Sequence, residues 1–176
     1  TIELMKTNTK KLEREITVVK NSAKLMAGQL GGRNAVIFGS DVLAPVARRW
    51  KTQINELAKA WAQYELLPEA DHNTAAGIEF PDYLPNQMAA IFLESDYDHP
   101  RNKNRSEITR KHLMTEGFFA DKFIGEGETR LEQMWSALQF GDYVSYYLSV
   151  AYGVDPTPIP GIQQIKSEML KASRKP

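Results

Sequence analysis

The chain contains no cysteine. Disulfide frameworks, thiolate metal sites, thiol nucleophiles and dithiol redox motifs are therefore excluded. It also lacks a surplus of either charge, since 22 Lys and Arg balance 22 Asp and Glu. A strongly basic nucleic-acid binder is disfavoured, because phosphate neutralisation needs excess Lys and Arg on one face. No apolar run approaches the ~20 residues that span a bilayer, and no signal-peptide pattern is visible. The expectation is a soluble, cytoplasmic protein with neither membrane nor nucleic acid as partner. Histidine is scarce as well, limited to His72, His99 and His112. What remains is a chain of 176 residues, 42% of them apolar, enough for one domain with a real core. It opens on Thr1 instead of Met, which reads as processing or a cut.

The first thirty residues read as one long helix, with Leu12, Ile16, Val19, Ala23, Met26 and Leu30 stepping by fours and threes. Gly31 and Gly32 stop it. A run at Ala35–Phe38 then reads as a strand, ending at Gly39-Ser40-Asp41, with a helix expected from about Val42 to Tyr64 under a Ser40 or Asp41 cap. The alternation recurs. Gln87–Leu93 reads as a strand before a helix at Ser106–Glu116, and Phe118–Ile124 as a strand before a helix at Thr129–Tyr152. Tyr64–Leu67 is a further short-strand candidate, and a last helix is expected over Ile162–Ser173. Short apolar strands each followed by a helix predict an α/β fold, a parallel sheet flanked by helices in a three-layer αβα sandwich.

Several local patterns invite chemistry. The Gly39-Ser40-Asp41 turn sits where open sheets bind ligands, but the charge of Asp41 favours capping over phosphate binding. Gly125-Glu126-Gly127 begins like a dinucleotide fingerprint, yet Arg130 stands where the third glycine belongs. Trp50, Ile54, Leu57 and Trp61 recur at helical spacing and are expected in the core. Beside them Glu56 and Lys59, three apart, read either as a solvated ion pair or as a carboxylate base next to a cation. His72 is the best acid–base candidate among the three histidines. His72 and His99 with Asp71 and Asp98 lack the spacing of a metal site, so none is expected. In the penultimate helix the stripe Leu131, Trp135, Leu138 runs into Asp142 and Ser145, a polar notch expected to anchor another element's backbone in preference to contacting a ligand.

Taken together, these blocks resemble a known family. Pro45 to Gln53, Asn55-Glu56 with Lys59, Pro68-Glu69, His72-Asn73, His99-Pro100-Arg101, Gly125-Glu126-Gly127, Gly141 to Leu148 and Gly153 to Pro158 are similar, in order, to the bifunctional phosphoglucose/phosphomannose isomerases. The resemblance is to their C-terminal half, the second of two sugar isomerase (SIS) domains. It implies a connecting helix over residues 1–32 that packs on an SIS domain at 33–176, with an N-terminal SIS domain as partner in a parent chain.

The resemblance further implies an aldose–ketose isomerase acting on glucose 6-phosphate or mannose 6-phosphate and giving fructose 6-phosphate. Glu56 would move the proton between C2 and C1, His72 would assist ring opening from the neighbouring subunit of a homodimer, and Lys166 would act near the ring oxygen. Thr157 is expected to contact the ligand. No metal or organic cofactor is implied. The family's base motif has a second Asn where Leu57 stands here. Its Ser/Thr-rich phosphate loop and an arginine belong to the N-terminal domain, so this chain alone is expected to be inactive or very weak. The alternative reading is a non-catalytic SIS module that binds sugar phosphates or mediates dimerisation.

Overall fold

The computed structural model describes residues 1–173. Four strands, β1 (Asn34–Gly39), β2 (Ala62–Leu66), β3 (Met88–Glu94) and β4 (Phe119–Ile124), form one sheet in the order β2-β1-β3-β4. Every neighbouring pair is parallel. Successive side chains of a strand point to opposite faces, so one strand feeds two cores. Ala35, Ile37, Ala89 and Ile91 enter the larger core, and Val36, Phe38, Ala90 and Phe92 the smaller one. This is the expected three-layer αβα arrangement.

The larger core is roofed by α1 (Ile2–Leu12), α2 (Ser22–Leu30), α3 (Ala44–Leu57) and α6 (Arg130–Ala151). Its centre is Trp50, whose Nε1–H donates to the carbonyl of Ala137 at 2.8 Å and ties α3 to α6. The opposite face is covered by α5 (Pro100–Thr115), which supplies Leu113, and by the irregular segment 67–87 around the short helix α4 (Leu84–Gln87). An apolar cavity of about 120 Å³ remains there, lined by Phe38, Ile78, Leu84, Ala90, Leu113 and Phe118 among others.

Several expectations are corrected. The single N-terminal helix is two helices, broken over residues 13–21. Asn21 competes with the helical ladder there, accepting from the Lys24 N–H as the cap of α2 and donating to the Glu13 carbonyl. Val19, placed on the apolar stripe, is consequently exposed. The helix after β1 begins at Ala44 behind a 3-10 turn at Asp41–Leu43, and neither Ser40 nor Asp41 caps it. It ends at Leu57, and the chain then turns through Lys59 at φ 55° into edge strand β2. Trp61 is therefore outside the helical register and 69% exposed. On α6 the stripe of Leu131 and Trp135 faces outward, because Ala137, Phe140, Val144 and Leu148 take the core. Finally, α5 starts six residues before the expected Ser106, with His99 as its cap.

The final helix α7 (Pro160–Ala172) is exposed along its whole length. Ile162, Ile165, Met169 and Leu170 fall on one side of it, and Lys166 lies within the same arc.

Candidate active site

Glu56 sits in the last turn of α3, whose C-terminal end lies beside the start of β2. The turn that follows is held by its own side chains. Asn55 Nδ2 donates to the Ala60 carbonyl at 2.8 Å, and Lys59 Nζ bonds the carbonyl oxygens of Glu56 and Pro156. The expected Glu56–Lys59 ion pair is thus replaced by a contact to the Glu56 main chain. Among the described residues the Glu56 carboxylate forms no ion pair, and its side chain is exposed.

Through the Pro156 carbonyl, Lys59 draws the segment 153–159 back against the end of α3. Between them opens a groove of about 540 Å³, lined by Asn55, Glu56, Lys59, Asp155, Pro158 and Ile162 among others. Ile162 is in the first turns of α7, and Lys166 follows it by four residues on the same side of the helix. The fold therefore brings Glu56, Lys59 and the first turn of α7 to one groove, and Lys166 lies one turn further along that helix, outside the groove's lining. Thr157 is exposed beside it, its N–H bonded to Asp155 Oδ1 at 2.9 Å. Asp155, which lines the groove and shapes this turn, was not singled out by its sequence; the Asp-Pro-Thr-Pro string marks only a turn.

His72 is elsewhere. It closes the 3-10 turn Glu69–Asp71 beyond the carboxyl end of β2 and is exposed. Strand β2 separates it from the Glu56 end by five residues, roughly 16 Å at 3.3 Å per residue. Within one chain the two do not meet. Asp71 does not orient His72 either, since its carboxylate takes a hydrogen bond from Thr109 at 2.8 Å and pairs with Arg105 at 3.3 Å. His99 is structural: its Nδ1 accepts from the Arg101 N–H at 3.2 Å, and its own N–H donates to Asp41 Oδ2 at 2.8 Å. Among the described residues no group of three His, Asp or Glu side chains has a metal-binding arrangement.

The polar notch of α6 is satisfied internally. Asp142 Oδ1 accepts from Gln53 Nε2 at 2.7 Å, Arg49 lies 3.9 Å away, and burial raises the carboxyl above its ordinary value. Ser145 donates to the Gly141 carbonyl. Asp142 thus anchors α3 to α6 through a side chain.

Comparison with known proteins agrees with this architecture. Residues 19–169 match the family model described as the bacterial phospho-glucose isomerase C-terminal SIS domain. The chain is 34% identical over 160 residues to a bifunctional phosphoglucose/phosphomannose isomerase of Aquifex aeolicus, covering 91% of this chain and 50% of that protein. A protein of the same description from Caldicellulosiruptor bescii is 31% identical, over 96% of this chain and 50% of its own length. The chain thus spans about half the length of the curated relatives it matches. Among solved structures, a glucose-6-phosphate isomerase-like protein from Thermus thermophilus superposes with a TM-score of 0.75 at 23% identity, over 88% of this chain and 51% of that one.

Proposed function

Because the chain belongs to the family of bacterial phospho-glucose isomerase C-terminal SIS domains, we propose that it is the C-terminal half of an aldose–ketose isomerase. The enzyme interconverts glucose 6-phosphate or mannose 6-phosphate with fructose 6-phosphate. The observation that supports this reading is the groove where the exposed carboxylate of Glu56 meets the first turn of α7, the helix that carries Lys166.

On the open-chain aldose phosphate, the Glu56 carboxylate takes the proton from C2. The C2 electrons form the C1–C2 double bond of an enediol(ate), and a proton is transferred to the carbonyl oxygen at C1. The carboxylic acid then returns its proton to C1, O2 loses its own, and the carbonyl stands at C2. One carboxylate suffices if it reaches two adjacent carbons, and its exposure in an open groove leaves that room. Ring opening needs a separate acid–base, which we assign to His72 of a second subunit and to Lys166 near the ring oxygen; Thr157 contacts the ligand. Substrate anchoring falls to the N-terminal SIS domain of the longer chain. That domain is also the natural cover for the apolar arc of α7, which is otherwise open to water. The reaction uses no metal or organic cofactor, and the enzyme works in the cytoplasm.

The test is isomerase turnover of the complete protein and its Glu56→Gln variant. Removal of a general base lowers kcat by roughly 10²–10⁴-fold. Near-parental turnover in the variant would sink the base assignment, whereas a complete protein that binds fructose 6-phosphate in calorimetry without turning it over would favour a binding module.

A further inference from the structure

Helix α3 closes on a residue that its backbone does not favour. The position after its cap is left-handed, a conformation glycine adopts freely, yet Lys59 stands there at φ 55°. Strained backbone persists only where the surroundings over-determine it. Here the ammonium of Lys59 is tied on two sides, donating to the Glu56 carbonyl in its own turn and to the Pro156 carbonyl at 3.0 Å. The first bond is one that a lysine at a helix C-terminus commonly makes. The second has no local reason, since Pro156 lies 97 residues away.

The far wall of the groove hangs on that second bond. After α6 the N–H groups of Gly153 and Val154 still donate back to the carbonyls of Val150 and Ser149. Beyond Val154 the hydrogen bonds are internal to the return. The Thr157 N–H donates to Asp155 Oδ1, the Gln163 N–H to the Ile159 carbonyl, and α7 bonds only within itself. Among the described residues, Lys59 to Pro156 is the one hydrogen bond that joins residues 155–173 to the rest of the domain. Packing does not fix α7 either, because the helix is exposed throughout.

We infer that Lys59 is a positioning residue for the isomerase site. Bonded to the main chain of the base on one side and to the return on the other, it sets Thr157 and the helix bearing Lys166 against Glu56. It thereby fixes the width of the groove between them. This inference rests on the isomerase reading, in which those residues meet one substrate. With the phosphate anchored in another domain, loss of the clasp leaves binding largely intact and misplaces the groups around C1 and C2. A displacement of about 1 Å at a reacting centre costs up to ~10²-fold in rate.

The test uses three variants of the complete protein. Lys59→Met keeps the aliphatic stem without the donors, Lys59→Gly relaxes the backbone at this φ, and Lys59→Arg still offers donors to both carbonyls. The Met and Gly variants should lose on the order of 10- to 100-fold in kcat with KM changed by less than about 3-fold, and the Arg variant should keep most of the turnover. With glucose 6-phosphate deuterated at C2, the share of deuterium delivered to C1 of the product should fall in the Met and Gly variants, because a displaced wall admits water to the protonated Glu56. A variant that had merely lost folded molecules would lower kcat and leave that share unchanged. Amide exchange over residues 154–159 should quicken in the Met and Gly variants but not in the Arg variant. Parental kcat in both Met and Gly variants, a fall in kcat with the deuterium share unchanged, or equal losses in the Met and Arg variants overturns the positioning role. Undiminished turnover in Glu56→Gln would instead remove the base assignment, and the exchange result would stand apart from it.

Discussion

The position of Glu56 depends on how closely α3 crosses α6, and Gly141 sets that distance. A Cβ built at Gly141 would stand 2.2 Å from Nε1, 2.4 Å from Cε2 and 2.5 Å from Cδ1 of Trp50. The indole is fully buried and its N–H is spent on Ala137, so it has nowhere to go. For Gly141→Ala, overpacking costs about 1–3 kcal/mol. Displacing the indole from its acceptor leaves a buried N–H unpaired, a further ~1–3 kcal/mol. Helix propensity opposes these by only about 1 kcal/mol. The net loss is of order 3 kcal/mol. With a urea dependence of roughly 1–3 kcal/mol per molar for small proteins, the unfolding midpoint should fall by more than about 1 M. Trp50→Phe on its own should cost less at this contact, because it removes the donor together with its need. The reasoning is refuted if Gly141→Ala unfolds at or above the parental midpoint.

Three further outcomes are expected. Gln133 is fully buried and accepts from Ser95 Oγ and the Asp96 N–H while donating to Asp96 Oδ2 and the Gly127 carbonyl, so it ties the loops after β3 and β4 together. Gln133→Leu should destabilise by roughly 2–4 kcal/mol in urea unfolding, and a change below about 0.5 kcal/mol would contradict that role. Burial, and then the charge of Asp41, raise the Asp98 carboxyl above 3.8. The native state therefore holds this proton to higher pH than the unfolded state, and stability falls as pH rises from about 3.8 through the raised value. Asp98→Asn, which still accepts from the Ser95 N–H, should gain stability relative to the parent between acid and neutral pH; a pH-independent difference would refute this. Lys59 adopts φ 55°, which costs a non-glycine residue about 1 kcal/mol. Lys59→Gly should be more stable than Lys59→Ala by about that amount, while both speed amide exchange over residues 154–159 once the bond to the Pro156 carbonyl is gone.

The legible parts of the fold were those where one local pattern reports one environment. β1 and β3 are buried on both faces, so their apolar runs are continuous and their limits nearly coincide with those read from the sequence. Thr129 and Glu132, three apart before an apolar run, form the capping box that starts α6. Periodicity misled where tertiary contacts choose between two possible faces. α6 buries small and polar residues such as Gln133, Ser136, Ala137 and Gly141 because Trp50 and the helices beside it approach closely, and its bulkier Leu131 and Trp135 are left outside. The site was less legible for a different reason. Glu56 and Lys166 are exposed polar residues on helices, indistinguishable by composition from any solvated face. Local spacing left Glu56 open between a solvated ion pair and a base, only family resemblance singled out Lys166, and the groove arises from a chain return fastened at Pro156, ninety-seven residues from Lys59.

The place of that groove in the fold has its own physical logic. Open parallel sheets ordinarily bind ligands beyond the carboxyl ends of the strands where the order reverses, here between β1 and β3. In this chain that crevice is occupied by its own carboxylates. Asp41, held at φ 38°, accepts from the His99 N–H and from Asn102 Nδ2 at the start of α5, the donors an incoming phosphate would use. Asp98 lies buried beside it. A phosphate there would meet like charges, at about 4 kcal/mol for each unit pair 4 Å apart in surroundings of intermediate polarity. Anion binding in the usual crevice is thus opposed by the same residues that fasten α5 to the sheet. Open space lies instead at the other end of the strands, in the groove where α3 ends and α7 begins.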